Sequence, residues 1–86
     1  MADLIVARVL SVGDHPGARG PSFLVRVDLG GGGEREVQME PGEYTKDELE
    51  GMLVVVSDDI VLQARSHAGP RLVRPDGDVE PGTPVA

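Results

Sequence analysis

Ser66 and His67 stand side by side, the residue types of a nucleophile and its base. Adjacency works against that chemistry. In an extended segment neighbouring side chains point to opposite faces, and nothing nearby specifies an orienting carboxylate or an oxyanion hole. His15 follows Asp14, but one imidazole and one carboxylate in a loop are ordinary surface chemistry. Asp58-Asp59 and Asp76-Gly77-Asp78 carry fragments of a calcium loop without its remaining ligand spacing, and they read as turns. The run Gly30 to Gly33 lacks the Lys-Ser/Thr that opens a phosphate-binding helix. Glu34-Arg35-Glu36 follows it, so the glycines read as a flexible hairpin tip. With no cysteine, thiolate metal sites and cysteine nucleophiles are excluded. No catalytic residue, metal or cofactor is expected, and the chain reads as a binding module and not an enzyme.

The elements that would position these side chains are mostly strands. Leu4 to Val12 is a β-branched-rich run bounded by Gly13-Asp14. Asp14 to Pro21 holds two prolines and two glycines and reads as a rigid loop. Phe23, Val25, Val27 and Leu29 then alternate with Ser22, Leu24, Arg26 and Asp28, the clearest period of two in the chain. The glycine link joins this strand to Glu34–Met39 as a hairpin. Thr45-Lys46-Asp47-Glu48 has the spacing of a capping box, with Gly51 ending a brief helix. Met52 to Val56 is a continuous apolar run suited to a strand buried on both faces, and Ile60–Ala64 and Pro70–Arg74 follow as two more short strands. Three strands, one short helix and two or three further strands predict an all-β fold. The order suits a five- to six-stranded Greek-key barrel of the OB type, with the helix plugging the barrel between its third and fourth strands.

The composition narrows the partners. Eighty-six residues predict a single domain, 1–86, with a thin stability margin. The apolar 40% is nearly all aliphatic; Phe23 and Tyr44 are the only aromatics. Phe23 is expected in the core and Tyr44 over the barrel end, which leaves bases little to stack on. An aliphatic core of this size gains from burial against a partner, so a homodimer is expected. Fifteen acids face seven Arg and one Lys, for a net charge of -7, and an acidic field repels phosphates and anionic membranes. The opening residues do not read as a signal peptide, no apolar run approaches a membrane span, and a cytoplasmic location is expected.

Four blocks of the chain resemble a known family. His15-Pro16, Ala18-Arg19, Pro21, Phe23 and Val27-Asp28-Leu29-Gly30 look like the first hairpin of the CsaA-type secretion chaperones, within the wider tRNA-binding-domain family of OB folds. Tyr44 to Gly51 with Val54-Val55-Val56 resembles the family's segment leading into its fourth strand. Ser66 falls where the family places a serine, and Val79, Pro81-Gly82-Thr83 and Val85 match its closing pattern. The chain departs from the pattern at Ser57, at His67–Pro70 and in Val37–Glu40. The resemblance implies an OB barrel, a homodimer, and binding of tRNA-like structured RNA or of unfolded peptide. For RNA, Arg19, Lys46, Arg65, Arg71 and Arg74 are the phosphate-contact candidates, and Ser66 adds a polar contact. The alternative is a dimeric, CsaA-like peptide-binding or chaperone module that binds no RNA.

Overall fold

The fold is described from a computed structural model, over residues 4–85. Its organising element is the long first strand, β1 (Leu4–Asp14). One strand of this length can border two others if it bends. The bend lies at Leu10, where a register shift between Val9 and Ser11 leaves an extra residue on the β1 side. On both sides of the bend β1 pairs antiparallel with β2 (Phe23–Asp28), from Arg8 opposite Asp28 to Asp14 opposite Phe23. Before it, Leu4 to Arg8 pair with β4 (Leu53–Ser57), Leu4 opposite Ser57 and Arg8 opposite Leu53.

Strand β3 (Glu34–Met39) continues from β2 in unbroken antiparallel register, Phe23 opposite Met39 and Asp28 opposite Glu34. The two-residue β5 (Ile60–Val61) lies between β3 and β4, parallel to β3 through Gln38 and Ile60 and antiparallel to β4. The ring β1-β2-β3-β5-β4 therefore returns to β1 and closes a mixed five-stranded barrel, as the OB-type reading predicts. A sixth strand, β8 (Pro84–Val85), adds to the outside of β1 at Leu4 and Ile5.

Side-chain alternation fills the barrel. Val9, Val25, Val27, Val37, Val54 and Val56 point inward and are almost wholly buried. The helix α1 (Lys46–Leu49) sits between β3 and β4 in sequence, and its Leu49 is fully buried at the barrel end. Its capping box forms as the spacing predicts. The Thr45 backbone N–H donates to Glu48 Oε1 at 2.7 Å, and the Glu48 N–H donates to Thr45 Oγ1 at 3.3 Å.

Strand β4 is buried on both faces, and the second face has its own cover. Val6, Leu53 and Val55 point away from the barrel interior yet are 3–7% exposed. The C-terminal segment runs beside Val6: the Gly82 N–H donates to Val6 O at 2.7 Å, and the Val6 N–H donates to Thr83 O at 2.9 Å.

Two local expectations are corrected. The predicted strand Ile60–Ala64 is two strands, β5 and β6 (Gln63–Ser66), broken at Leu62. Leu62 donates to Val55 O and accepts from the Val73 N–H, and there the chain leaves the barrel wall. Strand β6 pairs with β7 (Gly69–Leu72) in a separate two-stranded hairpin, which takes up most of the predicted Pro70–Arg74 strand. The glycine link is also no loose tip. Gly30–Gly32 form one 3-10 turn, and the Gly30 N–H donates to Asp28 Oδ1 at 2.8 Å. Gly30 lies against the backbone of Pro81 so closely that a β-carbon would fall 2.3 Å from its carbonyl oxygen.

Candidate functional site

A continuous cleft runs between β3, the Asp14–Pro21 loop and the β6–β7 hairpin. One part, of about 700 Å³, is lined by His15, Arg19, Pro21, Gln38, Gly42 and Pro70, among others. The adjoining part, of about 290 Å³, is more apolar, with Met39, Ile60, Val61, Leu62 and Pro70 among its walls. The two share Ser22, Gln38, Glu40 and Pro70. Both volumes fall at or within the range of small-ligand clefts.

The loop that forms one wall is held by its own polar groups. His15 Nδ1 lies 3.0 Å from Ser22 Oγ, and the Ser22 hydroxyl reaches Met39 O at 3.5 Å. The other wall is held by a side chain that imitates a strand. Gln63 Nε2 donates to Glu40 O, and the Glu40 N–H donates to Gln63 Oε1, both at 3.0 Å. This amide pair continues the β3 seam past the single backbone pairing of Gln38 with Ile60. Tyr44 then ties the hairpin to the helix cap, its hydroxyl accepting from the Leu72 N–H at 3.1 Å. Ile60 stands 48% exposed at the edge of this arrangement, an unusual position for a large aliphatic residue.

The six RNA-contact candidates do not converge. Arg19 and Arg65 line the two connected parts of the cleft. Arg65 grips Glu40 bidentately, at 2.8 and 3.0 Å. Those hydrogen bonds and the guanidinium charge hold the Glu40 carboxyl below its usual value, and Glu40 raises Arg65 in return. Arg71 reaches Glu43 at 3.4 Å. Arg65 is cross-strand from Pro70, and Arg71 from Ala64, so the two guanidiniums leave the hairpin on opposite faces. Lys46 pairs with Asp14 at 2.7 Å and stands 5.9 Å from the Phe23 ring centroid. Arg74 lies in another groove, its Nε donating to Leu53 O at 3.2 Å. Ser66 closes the β6–β7 turn: its hydroxyl donates to Gly69 O at 2.6 Å and accepts from the Ala68 N–H.

Gln63 and Ile60 were not singled out by the sequence reading, and neither was Arg8. An exposed Ile beside a two-residue strand is visible only once the barrel register is known. Arg8 sits within the first aliphatic run, where it signals nothing beyond an interruption. Among the described residues no three His, Cys, Asp or Glu side chains gather as a metal site would require. No helix among them is long and apolar enough to cross a membrane.

No protein-family model and no curated protein sequence matches the chain. Solved structures do. The CsaA chaperone of Picrophilus torridus superposes with a TM-score of 0.88 at 25% identity, covering 99% of this chain and 92% of that one. The CsaA chaperone of Bacillus anthracis gives 0.85 at 19% identity, covering 99% and 91%. A MetRS-related protein of Pyrococcus horikoshii gives 0.78 at 18% identity, covering 99% and 90%. The last two establish the shared fold. These full-length superpositions show that the chain shares its fold with CsaA chaperones and with a MetRS-related protein, the likeness that the four sequence blocks also carry.

Proposed function

We propose that the chain is a non-catalytic, chaperone-like module that holds an extended peptide segment, apolar and of basic character, in the cleft between β3 and the β6–β7 hairpin. The observation that carries this reading is how the cations are engaged. Lys46, Arg65 and Arg71 each contact an acid of the same chain. A polyanion would have to compete with those acids in the field of a chain of net charge -7. The cleft instead offers Ile60, Leu62 and Pro70 to alternate side chains of an extended segment. The Gln38 side-chain amide lies beside them to meet its backbone. The likeness to CsaA chaperones supports the same class of partner. The reading includes a cytoplasmic homodimer, in which a second copy covers part of the aliphatic surface.

The test is fluorescence anisotropy with a labelled peptide of alternating Leu and Lys, together with light scattering of an aggregating client. Binding is expected, and Ile60→Glu should weaken it by about tenfold, the loss of one well-buried apolar contact. No binding by the unaltered chain, or binding indifferent to Ile60→Glu, overturns the reading. A second reading is favoured by Arg19, which has no ion pair among the described residues and shares the cleft with Arg65. In that reading Arg19, Lys46, Arg65, Ser66, Arg71 and Arg74 hold tRNA-like RNA. A gel shift with tRNA at low salt, lost in Arg19→Ala and Arg65→Ala and accompanied by no peptide binding, would establish RNA in place of peptide.

A further inference from the structure

We infer that a second site, sharing no residue with the cleft, takes a ligand that carries both a carboxylate and a cationic group. It lies where β1, the turn after α1 and the segment after β7 meet, in a groove of about 410 Å³. The free termini of a peptide, or a single amino acid, have this chemistry.

Two guanidiniums make the anion side. Arg8 Nη1 donates to Gly51 O at 2.8 Å, and Arg74 Nε donates to Leu53 O at 3.2 Å. Both are therefore fixed on the same three-residue stretch, one at each end. Neither forms an ion pair among the described residues, in a chain where acids outnumber cations fifteen to eight. A backbone carbonyl orients a guanidinium without neutralising it. Arg74, held through Nε, keeps both terminal nitrogens, which are donors suited to a planar carboxylate. Arg8 keeps its remaining donors as well.

The cation side is on the same lining. Asp76 and Asp78 border the groove with Arg8 and Arg74, and among the described residues no ion pair joins either aspartate to them. A phosphate brought to the two arginines would enter a groove that both carboxylates also line. A zwitterion satisfies both sets, its carboxylate on the guanidiniums and its ammonium on the aspartates. The volume suits a small ligand of this kind.

The experiment is a ¹⁵N NMR titration of the whole chain at low salt with triglycine, glycine, N-acetyl-triglycine, triglycine amide and inorganic phosphate. Triglycine or glycine should shift the amides of Gly51 and Gly77 and the Arg74 Nε–H. Binding should be about tenfold tighter than for either blocked peptide, the worth of one charged hydrogen-bonded contact. Equal binding of glycine and triglycine assigns a single amino acid, and triglycine alone assigns a peptide terminus. Arg74→Gln should weaken binding by a similar factor, and Arg8→Lys, which keeps the charge but loses the fork, should weaken it less. Asp76→Asn with Asp78→Asn should raise the affinity for phosphate relative to triglycine. No shift at Gly51 and Gly77, a shift indifferent to both arginine variants, or phosphate bound more tightly than the zwitterions would overturn the inference.

Discussion

The C-terminal segment is locked to the barrel by two facing glycines, and replacing one of them measures the lock. Gly82 has a φ of +93°, and a β-carbon on it would lie 2.5 Å from the Leu29 carbonyl oxygen. Gly82→Ala must therefore do two things. It holds an alanine in the left-handed region, which costs roughly 1–2 kcal/mol. It also pushes the segment away from the barrel, lengthening the Gly82–Val6 and Val6–Thr83 hydrogen bonds of 2.7 and 2.9 Å. Each of those contributes about 1 kcal/mol net, so the whole loss is about 3–4 kcal/mol. Gly17 provides the control: its φ is +84°, but nothing lies within 4 Å of where its β-carbon would be. Gly17→Ala should incur only the backbone strain. The two variants should thus differ by about 2 kcal/mol in urea unfolding, or roughly 8–16 °C in Tm for a chain of this size. The Val6 amide should lose hydrogen-exchange protection in Gly82→Ala and keep it in Gly17→Ala. Equal stability of the two variants, within about 0.5 kcal/mol, would refute the argument that close approach and not backbone conformation demands glycine at 82.

Leu49→Ala should lower stability by about 2–5 kcal/mol in urea unfolding, because Leu49 is fully buried at the barrel end and its loss leaves a cavity. Thr45→Ala should lower it by about 1 kcal/mol, the usual loss of a capping side chain, and Thr45→Ser should restore most of that. The Glu40 carboxyl, held low by hydrogen bonds and charge from Arg65, should titrate below the ordinary glutamate range by carboxyl NMR and move back up in Arg65→Gln. A depressed folded-state value stabilises the fold above the ordinary carboxylate range, and that stabilisation is lost as pH falls through the folded value. An unchanged Glu40 titration in Arg65→Gln would count against the pair.

Local signals in the sequence were enough for the barrel itself. The alternation from Phe23 to Leu29 placed Val25, Val27 and Leu29 inside, and the Thr45–Glu48 spacing placed the helix start. Both are short-range patterns that tertiary contacts had no cause to override. The hairpin was harder to see. Leu62 belongs to the apolar run from Ile60, yet its backbone bridges Val55 and Val73, so the break there is a tertiary event without a local marker. In the sequence Gly30 signals flexibility alone, because its close contact with Pro81 joins residues fifty-one positions apart. The cleft was least legible of all. It depends on Gln63 bonding the backbone of Glu40, and a glutamine among strand residues gives no sign of that from sequence.

The ion pairs bear on any anion that meets this surface. Residue type nominated Arg65, Arg71 and Lys46, but proximity to acids largely neutralises the field around each of them. The positive charge that remains belongs to arginines held by main-chain oxygens. These are Arg8 on Gly51, Arg74 on Leu53 and Arg35 on Asp58, joined by Arg19, which has no ion pair among the described residues. A carbonyl dipole orients a guanidinium but cancels no net charge. Neutralising Arg65 or Arg71 should therefore alter local geometry more than anion affinity, whereas neutralising Arg8 or Arg74 should do the reverse.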